Sequence, residues 1–258
     1  MNPIYTIIPI FTIILLGWIA RLRGFIPVEF IGTANRVVYY LAIPAMIFRA
    51  IIQGSFKTQF NPLVLVITLI CVLILFVLAW FCVNFFGIEK EQRGTFIQSS
   101  FHGNLGYIGL AVAYYYLGEE GLVKASILAG FIMILQNFLA VIVLRIYASD
   151  DSDEKEKFSV ARGIIGNPVI LSAMAGILVS LTELPIPEVL DRSLKILSGM
   201  ALPLALLLIG AGLSFDLIHH RLRPVLITGA LKLMVLPGLG FFLYLLFHLE
   251  PKDYLPGL

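Results

Sequence analysis

The sequence predicts an all-α membrane protein of about eight transmembrane helices, and its composition, its apolar run lengths and its lack of strand-type alternation carry that expectation. Of 258 residues, 59% are hydrophobic and only 13% charged, against roughly 25% charged in an average soluble domain. A single water-facing core cannot absorb that surplus. The apolar residues fall in stretches of about 20, the length a helix rising about 1.5 Å per residue needs to cross a hydrocarbon layer about 30 Å thick. A membrane β-barrel would instead need segments of about ten residues alternating apolar and polar, and the chain has none.

The first stretch covers about 3–20 and has neither a basic leader nor a small-residue cleavage site before Arg21, so it reads as a retained span. Further spans follow at about 32–53, 62–86, 95–117, 122–147, 164–182, 190–213 and 224–248. The fourth is the least apolar. Cys71 and Cys82 share the third span, about 16 Å apart along the axis, too far to bridge, and read as buried thiols. Between the fifth and sixth spans, Ser149 to Lys157 is the one strongly polar run and reads as a solvated linker. With the N-terminus outside, eleven Lys and Arg fall on the cytoplasmic side and six, Arg49 and Lys195 among them, on the other. That bias predicts a multi-pass protein of the cell membrane, N-terminus out.

An internal repeat is visible. Asn2-Pro3 opens the first span as Asn167-Pro168 opens the sixth. Pro44 precedes Ser55-Phe56 by 11 residues, and Pro203 precedes Ser214-Phe215 by the same 11. Asn61-Pro62 and Arg223-Pro224 open the third and eighth spans. Five spans, an odd number, precede the second copy, so the repeat is inverted, as in many transporter folds. The chain reads as a first five-helix repeat over 1–147, a cytoplasmic linker over 148–162, and a second repeat over 163–258 that holds three helices. Two spans of the second copy are expected beyond Leu258, which makes the sequence a fragment or the product of a shortened reading frame.

The fourth span carries Gln98, Ser99, His102, Gly103, Asn104, Gly106 and Gly109, too polar and too rich in glycine for a helix facing lipid. Freed backbone groups are tolerated at membrane depth only inside protein or along a wet cavity, so the segment predicts a broken helix. Half-helix ends turned to the break concentrate partial charge, and Asn104 offers an amide to orient a solute there. The alternative is that Gly103, Gly106 and Gly109 only permit close helix packing. Lys232 lies inside the eighth span, where a lone charge is costly. It either snorkels toward the cytoplasmic side, meets an anionic solute, stands where a coupling cation sits in related folds, or pairs with a residue of the spans expected beyond the chain. His102 reads as hydrogen-bonded structure before it reads as a proton carrier, and Gln136 and Asn137 as interhelical hydrogen-bonding groups. The substrate-binding candidates are Asn104, Gly103, Gly106 and Lys232.

Enzyme classes find no support: the chain has no phosphate-binding loop, no dinucleotide fingerprint and no His-Glu-x-x-His, and His219-His220 alone make a poor metal site. No catalytic residue, metal or cofactor is expected. A net charge of +2, scattered among loops, gives no reason to expect nucleic acid.

The stretch Gly103-Asn104-Leu105-Gly106-Tyr107-Ile108-Gly109-Leu110, then Leu117-Gly118-Glu119-Glu120-Gly121, and Leu231-Lys232-Leu233 before Pro237 resemble the auxin efflux carrier (AEC) family of bacterial permeases. The likeness runs over nearly the whole chain. It implies ten spans in two inverted five-helix repeats, with the fourth and ninth helices crossing unwound and the solute held at the crossing, where Asn104 matches the family asparagine. It implies secondary transport of a small organic anion, a dicarboxylate or an auxin-like carboxylate. The partners it implies are that anion, the lipid bilayer, a coupling proton or sodium ion, and a second copy of the chain in a homodimer. Two features depart from the family. Ala111 stands where many relatives have proline, and the second crossing helix is absent. The competing reading is a non-transporting membrane component, or a truncated remnant that needs a partner.

Overall fold

The structure is a computed structural model of the 258-residue chain and describes residues 3–54, 56–147, 166–183, 185–214 and 222–257. The expected linker at 148–162 and the pair His219-His220 lie outside the described residues. Every element among the described residues is helical. In chain order these are α1 (Pro3–Leu22), α2 (Val28–Val37), α3 (Ile43–Gly54), α4 (Phe56–Gln59), α5 (Pro62–Phe85), α6 (Lys90–Phe101) and α7 (Leu110–Ile146). After them come α8 (Pro168–Thr182), α9 (Glu188–Gly199), α10 (Ala201–Gly212), α11 (Leu222–Ala230), α12 (Leu236–Leu246) and α13 (Pro251–Tyr254).

Among the described residues, five helical stretches are long and apolar enough to cross a bilayer: Val28–Gly54, Pro62–Phe85, Lys90–Ile146, Glu188–Gly212 and Leu222–Leu246. Ile7–Leu22 and Pro168–Thr182 are apolar but shorter. The 57-residue stretch covers two expected spans. It is divided by non-helical backbone at His102 and Asn104, and by Gly118 at φ 75 and ψ −161, a conformation in which only glycine avoids a clash with its own Cβ.

Local chemistry sets the element boundaries. Asn61 and Asn167 each cap a helix that has proline in its first turn, where the missing N–H costs nothing. The Asn61 Oδ1 accepts from the N–H groups of Leu63 and Val64 at 3.0 and 3.3 Å. The Asn167 Oδ1 does the same for Val169 and Ile170 at 2.9 and 3.3 Å. Pro44 and Pro237 each follow a widened π turn, Val38–Ala42 and Leu231–Val235. Proline supplies no N–H and its ring crowds the carbonyl one turn back, so the helix loosens there. Around Pro203 the outcome differs, because the helix is interrupted at Met200 between α9 and α10.

The chain forms two compact units built from interleaved segments. The first comprises Met1–Phe60, Asn104–Gly130 and Asn167–Phe215; the second comprises Asn61–Gly103, Phe131–Gly166 and Asp216–Leu258. In the first, α1 packs on α10 and α3 packs on α8. At the α1–α10 crossing, a Cβ on Gly17 would fall 2.0 Å from the Leu207 carbonyl oxygen, and one on Gly210 would fall 1.8 Å from that of Ile14. The two backbones touch through glycine, as small residues in membrane helices allow. Arg21 adds a hydrogen bond from Nη1 to the Ala211 carbonyl at 3.1 Å. At the α3–α8 crossing, Gly176 meets Ile51 and the Phe48 backbone.

Near the end of α8 the exposed Lys57 ammonium holds the Glu183 carboxyl below the usual carboxylate range. Any stability that pair contributes is present at neutral pH and is lost as pH falls through the depressed value; between exposed groups it is small.

In the second unit α5 packs on α6 and α12. Thr68 and Tyr244 hydrogen-bond at 2.6 Å in its interior, and the Tyr244 ring stacks on Tyr254 at 4.9 Å. Phe76 packs edge-on against Phe101 at 5.5 Å, and Trp80 lies 5.8 Å from Tyr147. The thiols of Cys71 and Cys82 are free.

Candidate functional site: a helix interrupted at Asn104

The expected break is present. Helix α6 ends at Phe101, and the backbone leaves helical geometry at His102 (φ −82, ψ 100) and at Asn104 (φ −84, ψ 70) before a π turn, Leu105–Gly109, resumes the helix. Asn104 organises the restart. Its Oδ1 accepts from the Tyr107 N–H at 3.3 Å, and its carbonyl oxygen accepts from Ile108 and Gly109 at 3.1 and 3.2 Å. With the side-chain oxygen turned to the backbone, the amide N–H₂ of this exposed residue points away, and no protein partner takes it among the described residues. The Tyr107 hydroxyl donates to the Asn35 Oδ1 at 3.3 Å, fixing the new turn against α2.

Gly106 and Gly109 are not packing glycines in the sense of Gly17 or Gly210. A Cβ at Gly106 would meet only Ile43 Cδ1 at 3.9 Å, and one at Gly109 would meet its own turn at 3.7 Å, both ordinary van der Waals contacts.

In the second unit, Gln136 ties α7 to the end of α6: its Nε2 donates to the Phe101 carbonyl at 2.9 Å. This is the interhelical role expected for Gln136. Its Oε1 is buried without a protein partner among the described residues. Lys232 sits half-buried in the π turn Leu231–Val235, which packs on α6, and its charge reaches His102. It makes no hydrogen bond or ion pair among the described residues. The structure thus brings Gly103, Asn104 and Gly106 into one interrupted stretch and places Lys232 with α6 in the second unit.

Arg49 entered the sequence reading only as a charge on the outer side. In the structure it lies on α3 with its side chain 18% exposed, its Nε 2.9 Å from Asp191 Oδ1 and its Nη2 3.4 Å from Oδ2. Gln53 adds a third bond to the same carboxylate at 3.1 Å. No local signal marks this cluster, because Arg49 and Asp191 are 142 residues apart.

Residues 3–257 match the membrane transport protein family. An uncharacterized transporter of Methanocaldococcus jannaschii is 24% identical over 256 residues, covering 97% of this chain and 82% of that one. An uncharacterized transporter of Methanothermobacter thermautotrophicus is 24% identical over 240 residues, covering 92% and 76%. A protein of Rhizobium meliloti, provisionally named a malonate transporter, is 26% identical over 217 residues, covering 81% and 66%. With apolar helices long enough to span a bilayer and a family match along almost its whole length, the chain belongs to the membrane transport protein family, that of the auxin efflux carriers, whose members are transporters and not enzymes.

Proposed function

We propose that the chain is a secondary transporter of a small organic anion, a dicarboxylate or auxin-like carboxylate, which binds at the interrupted helix. The observation that carries this reading is the break itself: a 57-residue stretch long enough to span the bilayer loses helical geometry at a glycine-asparagine pair and restarts with an amide donor that has no partner among the described residues. The restart is a helix N-terminus, whose unsatisfied N–H groups and dipole favour a carboxylate. Lys232, a cation without a protein partner among the described residues, is proposed as a second solute-binding group. The name of the Rhizobium meliloti relative supports a dicarboxylate. The test is uptake of radiolabelled malonate and indole-3-acetate into proteoliposomes holding the purified chain. Uptake above empty vesicles is expected for at least one of the two, and counts no higher than those of empty vesicles for both would refute the reading.

The inverted repeat belongs to the same proposal. The proline offset, 203 − 44 = 159, maps Phe48 and Ile51 onto Leu207 and Gly210. The first pair meets α8 at Gly176, and the second meets α1 at Gly17 and Ile14. Positions equivalent by sequence therefore make equivalent helix crossings, which supports eight spans arranged as two opposed copies.

With the N-terminus outside, a membrane-impermeant thiol reagent added to intact cells is expected to modify Thr58→Cys and not Ser152→Cys, in a background with Cys71 and Cys82 replaced by alanine. The reverse pattern would invert the topology.

A further inference from the structure

The first unit holds a cavity of about 390 Å³ between α3, the start of α7, α9 and α10. It shares Arg49, Glu119 and Lys195 with a neighbouring cavity of about 520 Å³. Neither includes the interrupted stretch; Tyr114 and Tyr115, which line the smaller one, follow Asn104 by about ten residues, or about 15 Å at helical rise.

The lining is amphipathic. Met46, Leu122 and Leu202 supply apolar surface beside the two tyrosine rings. The charges are of both signs and are not consumed on one another. Arg49 uses its Nε and one terminal nitrogen on Asp191, which leaves N–H groups over. Lys195 on α9 and Glu119 on α7 line the same space, yet neither side chain has a hydrogen-bond or ion-pair partner among the described residues. In the larger cavity the Oε1 of Gln59 is a buried acceptor with no donor among the described residues.

A simple anion in this space would satisfy Lys195 and face the Glu119 carboxylate; a simple cation would satisfy Glu119 and face Lys195 and Arg49. One molecule carrying both charges meets both groups, and charge-assisted hydrogen bonds of this kind are the stronger ones. We propose that this cavity binds a small zwitterion of the α-amino-acid type. Lys195 and the remaining N–H groups of Arg49 take its carboxylate, Glu119 takes its ammonium, and the tyrosines and Met46 take an apolar side chain. The site is separate from the one proposed at Asn104 and does not depend on it.

Calorimetric titration of the purified chain in nanodiscs tests this with three probes of one carbon skeleton: L-norvaline, pentanoate, which lacks the ammonium, and butylamine, which lacks the carboxylate. Norvaline is expected to bind about ten- to hundred-fold more tightly than either, the range that one charged hydrogen-bonding group contributes. Lys195→Gln is expected to weaken norvaline and pentanoate but not butylamine, and Glu119→Gln to weaken norvaline and butylamine but not pentanoate. Both variants alter exposed side chains, and an unchanged thermal midpoint verifies their folding. Asn104→Ala is expected to leave norvaline binding in place, so a failure here is distinct from a failure of the transport reading. Pentanoate binding as tightly as norvaline, with Glu119→Gln silent, would make this an anion site and overturn the proposal. The absence of binding by all three probes would overturn it as well.

Discussion

Gly210→Ala is expected to lower the thermal midpoint of the purified chain by several degrees, and Gly17→Ala to do the same. A Cβ at either position would lie 1.8–2.0 Å from a carbonyl oxygen of the opposing helix, and the atoms it meets are backbone, not the yielding end of a side chain. The helices must separate, at a cost of about 1–3 kcal/mol for each added methyl in a tightly packed contact. Once the first methyl has forced them apart, the second finds room. The double variant should therefore cost less than the sum, since residues sharing one contact do not add independently. Gly212→Ala is the control: on the same helix, a Cβ there meets nothing within 4 Å. Its replacement should be neutral or slightly stabilising, by up to about 1 kcal/mol from the lower backbone entropy of the unfolded chain. Equal behaviour of Gly210→Ala and Gly212→Ala would mean that α1 and α10 do not cross as closely as described.

Asn104→Ala is expected to abolish uptake while the protein still inserts into the membrane. The side chain has two roles, and they can be separated. Its oxygen caps the restarting helix at Tyr107, worth about 1 kcal/mol, and its N–H₂ group is the donor proposed for the solute. Alanine removes both. Aspartate keeps an oxygen for the cap and, being acceptor-only when ionised, removes the donor. Asn104→Asp should regain stability and oppose an anionic solute more strongly than alanine does, because it adds a like charge. A lost hydrogen bond to a charged group is worth about 1.5–3 kcal/mol, roughly ten- to hundred-fold in affinity. Uptake by Asn104→Asp equal to that of the parent would reduce Asn104 to a capping residue.

The break was legible because its residues violate the rule for their surroundings: Gly103, Asn104 and their polar neighbours sit in an apolar stretch, and lipid tolerates no open backbone. The helix starts after Asn61 and Asn167 were legible for a similar reason, an Asn-Pro pair at the head of an apolar run. The prolines were visible but not their effect, since loss of an N–H allows either a widened turn, as at Val38–Ala42, or an interruption, as at Met200. What could not be read was pairing at a distance. Hydropathy counts Arg49 as a cost and gives no sign of Asp191, 142 residues away. Nor does it reveal that Gln136 donates to the Phe101 carbonyl, 35 residues earlier. The interleaving of the two compact units is likewise a matter of contacts and not of any local pattern.

The crosswise pairing of α1 with α10 and α3 with α8 also bears on how the protein is made. Synthesis runs from the N-terminus, so α1 and α3 are complete well before their partners exist; the bond from Arg21 to Ala211 closes across 190 residues. During that interval the glycine face of α1 has no helix to meet. The early segments must be stable in lipid as single helices, and α1 is apolar enough for that, with Arg21 as the basic residue of its last turn. Final docking waits for α10 to emerge, so ribosome stalling before residue 212 should leave nascent chains that are inserted yet open to proteases and non-native helix partners.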